Sequence, residues 1–218
     1  MMSRVRIIAV AVLILLALAG AFGQKPGAGQ KQKEPPPDYF PLRVGDWWKY
    51  QSTTADGKQS EFTMTVLADE KQADGVVFHK VEIKSTIPIH EWYSKPSGWV
   101  LWHREFYTSN ESMKVAFEPV RQYLKNPLTT GATWSWKGKG MMGVDIDESN
   151  QVIGSEAVEV PAGKFQAMKV ESKVNQGGTA VTKTYWYANW VGLVKSMTDT
   201  GAVKSTSVLM DYSFKKKP

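Results

Sequence analysis

The chain has 218 residues, of which 42% are hydrophobic and 22% charged, and it contains 9 Trp and no Cys. This length and composition fit one globular domain or two small related halves, and they exclude a disordered chain and a coiled coil. The lack of cysteine excludes disulfide scaffolds, thiolate metal sites and cysteine nucleophiles.

The formal net charge of +6 comes from the two ends of the chain. The basic residues responsible are Arg4, Arg6, Lys25, Lys31, Lys33, Lys215, Lys216 and Lys217. Between Asp38 and Phe214 the acidic and basic residues nearly balance. Nucleic-acid-binding proteins concentrate basic charge on one face of the fold. The sequence therefore gives no indication of a nucleic-acid partner.

Residues 1–23 have the features of a secretory signal peptide. Two arginines precede an apolar run over 7–18, and the small residues that follow end at Gly23 before Gln24. A membrane anchor is the alternative, but a spanning helix needs about 20 apolar residues and this run is shorter. We therefore expect cleavage near Gly23/Gln24 and an exported mature protein, in the periplasm or outside the cell, with no transmembrane segment.

Residues 24–38 form a predicted flexible linker rich in Pro, Gly and Lys. Segments without large apolar side chains cannot bury enough surface to offset their ordering entropy. The folded part is expected to begin near Tyr39, and 215–218 form a short basic tail.

The sequence predicts an internal duplication, with one half at 39–126 and the other at 127–214. The motif P-L-x-x-G-x-x-W occurs at 41–48 and again at 127–134, and a W-Y pair followed by Gly and Val occurs in each half. The shared residues are Gly45, Trp48, Trp92 and Gly98 in the first half and Gly131, Trp134, Trp186 and Gly192 in the second. Two such units are expected to bury their apolar faces against each other. We expect Gly45 and Gly131 in tight turns just before the first shared tryptophans, and the second shared tryptophans on equivalent strands that end at Gly98 and Gly192.

Both halves alternate apolar and polar residues with period two, as half-buried strands do. Turn pairs such as Asp56-Gly57 and Gly177-Gly178 separate these segments. The sequence therefore predicts an all-β fold with little helix. We expect two repeated antiparallel β-meanders in a continuous or face-packed sheet, half-barrel or sandwich-like.

Three segments resemble a family of uncharacterised exported bacterial β-proteins, the TapB-like domains of unknown function. They are the PLRVGDWWKY segment at 41–50, the VPAGKF segment at 160–165 and the WYANWVGLV segment at 186–194. The resemblance spans most of 39–212 and implies a periplasmic or surface β-sheet protein. Its motifs specify packing and turns, so it implies no catalytic residues.

Two motifs of chemical interest favour structural interpretations. Gly138-x-Gly140-x-x-Gly143 matches the glycine pattern of a dinucleotide-binding loop. That motif needs a helix after it, whereas a strand-like segment follows here, so the pattern favours a turn. The acidic segment from Asp145 to Glu156 loosely resembles a calcium loop but has Asn150 where Gly is required. We therefore predict a hairpin tip around 148–150.

The alternative function is an enzyme, a hydrolase with a dispersed Asp, Glu or His site. The two candidate acid–base pairs are His103 with Glu105 and Asp145 with Asp147. His103 and Glu105 are expected on one strand face because side chains alternate. The other histidines are His79 and His90, and the spacing predicts no metal site and no cofactor.

Tryptophan richness is the most unusual feature of the composition. The tryptophans shared by the two halves are predicted to fill core positions. Trp47, Trp99 and Trp190 have no aromatic partner in the other half, which makes them the candidate ligand contacts. The favoured function is a non-enzymatic exported binding or envelope-accessory protein, whose partner is an apolar or planar ligand or an envelope protein.

Overall fold

The computed structural model describes residues 34–108 and 113–214. The chain divides into a unit at 1–35 and a unit at 36–218. Of the first unit only residues 34 and 35 are described, and both are exposed without regular structure. The predicted signal peptide, most of the predicted linker and the basic tail lie outside the described residues.

Strands make up most of the second unit. They are β1 Trp47–Thr54, β2 Gln59–Lys71, β3 Val77–Lys84, β4 Ile89–Ser94, β5 Gly98–Tyr107, β6 Lys114–Asn126, β7 Thr133–Lys139, β8 Asp145–Val160, β9 Gly163–Gln176, β10 Thr179–Ala188, β11 Gly192–Asp199 and β12 Lys204–Tyr212. A single 3₁₀ turn, Met141–Gly143, is the only helical element among the described residues.

All twelve strands belong to one antiparallel sheet. Strands β1 to β6 pair in chain order, as do β7 to β12, and β1 pairs with β12 to join the two meanders. The sheet is nearly closed and barrel-like, with β6 and β7 as its two edges. The prediction of an all-β fold built from two antiparallel meanders is confirmed.

The inner face of the sheet carries the core. Val66, Val81, Val100, Val194 and Leu209 are at most 1% exposed and come from five different strands. Successive side chains of a strand point to opposite faces of the sheet, so one side of each strand faces the core. Burial of this shared apolar face stabilises both meanders together.

The two meanders begin in the same way. Gly45 and Gly131 have φ of 92° and 81°, a conformation that favours glycine, and precede β1 and β7. The Gly45 N–H donates to the Val66 carbonyl, and the Gly131 N–H donates to the Val152 carbonyl, each at 2.9 Å. The register shifts just after each of these valines.

The tryptophans shared by the two halves also occupy matching positions. Trp48 and Trp134 are the second residues of β1 and β7, and both are buried. Trp92 in β4 and Trp186 in β10 are buried too, and each lies against cations from the neighbouring strands. Their indoles donate to the carboxylates of Glu70 and Glu156, respectively.

Two expectations about the strands are wrong. Glu148, Ser149 and Asn150 do not form a hairpin tip, because they lie within β8 and pair with both β7 and β9. Gly98 and Gly192 do not end the strands of Trp92 and Trp186; they begin the next strands, β5 and β11. β8 continues through 148–150 because its alternation persists there, whereas β4 and β10 end before the turns at 95–97 and 189–191.

Asp38 anchors the segment that leads into β1. Its carboxylate accepts hydrogen bonds from Lys95 Nζ at 2.6 Å and from Asn126 Nδ2 at 2.8 Å. Its carbonyl accepts from the Trp190 N–H at 2.7 Å. The next residues, Phe40 and Leu42, are buried in the core. These bonds connect the start of the folded unit to the ends of β6 and β10.

Side chains close the seam between the edge strands β6 and β7. Buried Arg121 of β6 forms an ion pair with buried Glu148 of β8. The Arg121 guanidinium lies 4.9 Å from the Trp102 ring centre and 5.3 Å from that of Trp136. The Trp136 indole donates to the Pro119 carbonyl at 2.8 Å. The ion pair and the aromatic contacts thus connect β6 with β8 and β7 at the point where the ladder of paired strands ends.

We predict that Arg121→Met destabilises the fold by about 3–5 kcal/mol, because it leaves a buried carboxylate without its cation. The double variant Arg121→Met/Glu148→Gln, which keeps an acceptor for Asn150, should recover part of that loss. Urea unfolding measures both free energies.

The control is Lys137→Met, which breaks the exposed pair between Lys137 and Asp147 on the neighbouring ladder. It should cost less than about 1 kcal/mol. If Arg121→Met is no worse than this control, the ion pair does not hold the seam.

Candidate functional site

An apolar cavity of about 140 Å³ lies on the inner side of the first meander. Its lining is mostly aromatic. The lining residues are Phe40, Pro41, Trp48, Tyr50, Phe62, Met64, Ile83, Glu91, Tyr93, Trp102, Tyr123, Gly192 and Leu193. Phe62, Met64 and Ile83 are only half-buried, so the cavity reaches solvent along β2 and β3.

Hydrogen bonds fix the polar atoms of these aromatic side chains. The Trp48 indole donates to the Val191 carbonyl at 2.6 Å, and the Tyr50 hydroxyl donates to the Leu193 carbonyl at 2.9 Å. Buried tyrosines and tryptophans usually need such partners. Because Val191 lies just before β11 and Leu193 lies within it, the rings are positioned by the second meander.

The other rings form a contiguous aromatic cluster. Tyr93 is stacked with Trp102 at 5.7 Å between ring centres, and Tyr123 packs edge-on against Trp102 at 5.6 Å. Phe40 contacts both tyrosines at 5.2 and 5.5 Å. Mutual packing of this kind holds the ring orientations without a ligand.

Among the described residues, Glu91 is the one carboxylate that lines the cavity. It is 6% exposed, and one of its oxygens accepts a hydrogen bond from the Tyr93 hydroxyl at 2.8 Å. Burial raises the pKa of Glu91 from 4.5 to about 7; the Tyr93 hydrogen bond opposes this shift, the charge of Glu105 adds to it and that of Arg121 opposes it. Near neutral pH this carboxyl therefore exists in both protonation states.

A cluster of charged and polar side chains lies beyond Trp102 on the inner face. Glu148 accepts hydrogen bonds from Arg121 and, at 2.9 Å, from Asn150. Burial raises the pKa of Glu105, although Arg121 and Lys183 oppose the shift. Burial and the charge of Arg121 lower the pKa of Lys183. Charged groups are thus concentrated on one side of the aromatic cluster.

The predicted ligand contacts Trp47, Trp99 and Trp190 lie outside the cavity lining. Trp47 begins β1, and its backbone N–H donates a hydrogen bond to Ser213 Oγ at 3.0 Å. Trp99 in β5 packs edge-on against Trp134 at 6.4 Å. Trp190 has φ of 60° in the turn after β10. All three are half-buried, and they lie on different elements.

The candidate acid–base pair of His103 and Glu105 is divided by a bulge. The register of β5 with β6 shifts between Trp102 and Arg104, so alternation fails at His103. The His103 ring stacks on Phe78 at 4.0 Å and lies 2.8 Å from Ser94 Oγ, whereas Glu105 is affected by the inner charges of Arg121 and Lys183. The expectation that they share a strand face is wrong.

The remaining polar candidates form exposed or half-buried pairs. Asp145 and Asp147 form ion pairs with Lys139 and Lys137 across the β7–β8 ladder. His79 contacts Asp69 at 2.7 Å, and His90 lies 3.6 Å from Glu82. Within 34–108 and 113–214, no three His, Asp or Glu side chains are grouped closely enough to hold a metal ion.

Sequence reasoning missed Glu91, Arg121 and Lys183 because they match no catalytic motif. A signal was present in the strand periodicity. Glu91 lies two residues from Ile89 and from Tyr93, in phase with inward side chains, and Lys183 is in phase with Tyr185. A charged residue at an inward position is rarely buried unless it is paired or functional.

The comparisons with known proteins agree with the fold. A family model with the description DUF3108-like matches residues 111–209, slightly less than half of the chain. A crystal structure of a candidate exported protein with a YmcC-like fold, from Bacteroides fragilis NCTC 9343, has a TM-score of 0.56 and 18% identity. The match covers 81% of this chain and 99% of that one. At this identity the likeness shows the fold alone.

Two further crystal structures are similar at lower scores. A candidate lipoprotein from Parabacteroides distasonis ATCC 8503 has a TM-score of 0.48 and 15% identity, covering 83% of this chain and 100% of that one. The hypothetical lipoprotein YmcC from Escherichia coli K12 has a TM-score of 0.43 and 10% identity. That match covers 79% of this chain and 85% of that one. No curated protein matches the chain. Among the described residues, no helix has the length and apolar character to cross a membrane.

We predict that Glu91 makes the stability of the protein depend on pH. Because its pKa is raised on folding, the folded state binds this proton more tightly than the unfolded state. The resulting stability is present below about pH 4.5 and is lost as the pH rises to about 7. At ~1.4 kcal/mol per pKa unit, the loss is about 3 kcal/mol.

Urea unfolding of the wild type and Glu91→Gln at pH 4.5 and pH 8 measures this effect. The variant should lose less stability than the wild type between the two pH values. The control Glu82→Gln, on a strand residue whose carboxylate lies near His90, should keep the wild-type dependence. An unchanged dependence in Glu91→Gln would show that the carboxyl titrates normally.

Proposed function

We propose that this protein is an exported, non-enzymatic binding protein that holds a small apolar or planar ligand inside its sheet. The observation that carries the proposal is the cavity lined by Trp48, Tyr50, Tyr93, Trp102 and Tyr123. Small-molecule sites are typically concave and mostly apolar, with few polar groups that orient the ligand. Glu91 is such a polar group.

The size of the cavity limits the ligand. An apolar cavity of ~150 Å³ holds one benzene molecule. The cavity of about 140 Å³ therefore suits a single ring or a compact alkyl group rather than a lipid chain. The aromatic lining remains in place without a ligand because its polar atoms are bonded to backbone carbonyls. A preorganised site loses little entropy when it binds.

The proposal of export is supported by the predicted signal peptide at 1–23. The similar structures described as exported or as lipoproteins agree with an envelope location. This chain has no Cys to carry a lipid, so a soluble exported form is proposed. Membership of a TapB-like family, the duplication into 39–126 and 127–214 and an envelope-protein partner also remain proposals.

The ligand contacts proposed for Trp47, Trp99 and Trp190 belong to a second, independent hypothesis. These side chains are half-buried, and none of them lines the cavity that contains Glu91. They would contribute to a partner surface rather than to the cavity. Alanine variants of the three should leave cavity binding unchanged.

Toluene, a neutral probe of suitable size, should bind the cavity and give a saturable heat in calorimetry. Ile83→Trp should abolish this binding, because Ile83 lines the cavity and the larger ring fills it. The matched control Ile87→Trp adds the same side chain at an exposed position and should bind toluene normally. Absence of toluene binding to the folded wild type would contradict the proposal and favour a protein partner.

We also predict that the exported protein begins at or near Gln24. Expression with the complete leader in a bacterial host, followed by N-terminal sequencing of the periplasmic fraction, measures this directly. A protein that keeps Met1 and fractionates with membranes would contradict the predicted cleavage.

A further inference from the structure

The cavity combines two features that are not needed together for a purely apolar ligand. Aromatic side chains from β1, β2, β4, β5 and β6 line it, and a single carboxylate, Glu91, lies among them. A purely apolar ligand could be bound equally well by aliphatic side chains, and it gives no reason for a buried carboxylate. A buried carboxylate is costly to ionise unless it is paired. The combination calls for a ligand with positive charge.

Ring faces supply one part of the recognition of a cation. The electron-rich faces of Trp and Tyr attract organic cations, most strongly where water is excluded. Here the Trp48, Tyr50 and Tyr93 polar atoms are already hydrogen-bonded, to Val191, Leu193 and Glu91 respectively. Their remaining interaction with a ligand is therefore through the rings.

Glu91 supplies the other part, as a counter-ion. Among the described residues, Tyr93 is its hydrogen-bond donor, and no Lys or Arg forms an ion pair with it. The nearby cation Arg121 is instead paired with Glu148. A positive ligand in the cavity would provide the charge partner that the protein does not supply.

The type of cation follows from the lining. A primary ammonium needs three hydrogen-bond acceptors, and it is strongly hydrated. The cavity offers one carboxylate and otherwise rings and the aliphatic side chains of Met64, Ile83 and Leu193. A methylated ammonium needs no acceptor for its methyl groups and is recognised by aromatic cages.

We infer that the cavity binds a small methylated-ammonium compound, with its cationic head between the aromatic rings of β1, β4, β5 and β6 and its charge balanced by Glu91. This inference rests on the proposed function and names the class of its ligand. The cavity volume of about 140 Å³ accommodates one trimethylammonium head with a short substituent.

The experiment compares two probes of nearly equal shape. Choline carries a trimethylammonium head, and 3,3-dimethylbutan-1-ol carries the neutral tert-butyl group in its place. Calorimetric titration of the full-length mature protein at pH 8 should give at least tenfold tighter binding of choline. Glu91→Gln should remove this preference and leave the affinity for the alcohol unchanged, whereas Glu82→Gln should behave as wild type.

The pH dependence gives a second readout in the unmodified protein. The groups that face Glu91 are Tyr93 on its own strand, Glu105 and Tyr107 of β5, and Arg121 and Tyr123 of β6. Protonation of Glu91 removes the counter-ion, so choline affinity should fall roughly tenfold from pH 8 to pH 6 for a pKa of about 7. The affinity for the alcohol should not follow this change.

The outcomes separate the inference from the proposed function. If the alcohol binds as tightly as choline, or if Glu91→Gln retains the preference, the inference is wrong. If toluene binds and choline does not, the inference is again wrong while the cavity remains a binding site. If none of the three compounds binds, both the inference and the proposed function are wrong.

Discussion

The ion pair between Arg121 and Glu148 is the interaction on which the closed form of the sheet depends. The backbone ladder stops at β6 and β7, so side chains must close the sheet there. A buried pair alone roughly balances its desolvation cost. Here the guanidinium also lies over the rings of Trp102, Phe117 and Trp136, which supply favourable contacts on its faces. With the seam closed, the inner face becomes an interior, and Trp102, which the Arg121 guanidinium contacts, is part of the cavity lining.

The inner residues of the two meanders differ where the cavity lies. Trp92 and Trp186 occupy matching positions, so Glu91 in β4 corresponds to Tyr185 in β10. The second meander thus has a large ring where the first has a carboxylate. Trp136 likewise stands where the first meander has Tyr50. Under the proposed duplication, one half keeps a packed interior while the other carries the binding site.

The presence of the strands could be predicted from the sequence, because period-two alternation of apolar and polar residues is a local signal. The turns at Gly45 and Gly131 were also predictable from a local signal, because a backbone conformation with positive φ favours glycine. The site was not predictable in this way. Glu91 and Arg121 become significant only when the folded sheet buries them, Glu91 in the cavity lining and Arg121 against Trp102 and Glu148. The bulge at His103 and the continuation of β8 through Glu148 depend on register, which is set by the partner strands.

The pairing of β1 with β12 places the first and last strands of the fold side by side, with Trp48 opposite Tyr212. Contacts between such distant positions are slow to form, since the whole intervening chain must be ordered around them. During synthesis β1 has no β12 to pair with until the ribosome has reached the last residues. A chain that crosses a membrane in extended form benefits from this delay, because completion of the sheet waits for the C-terminal strand.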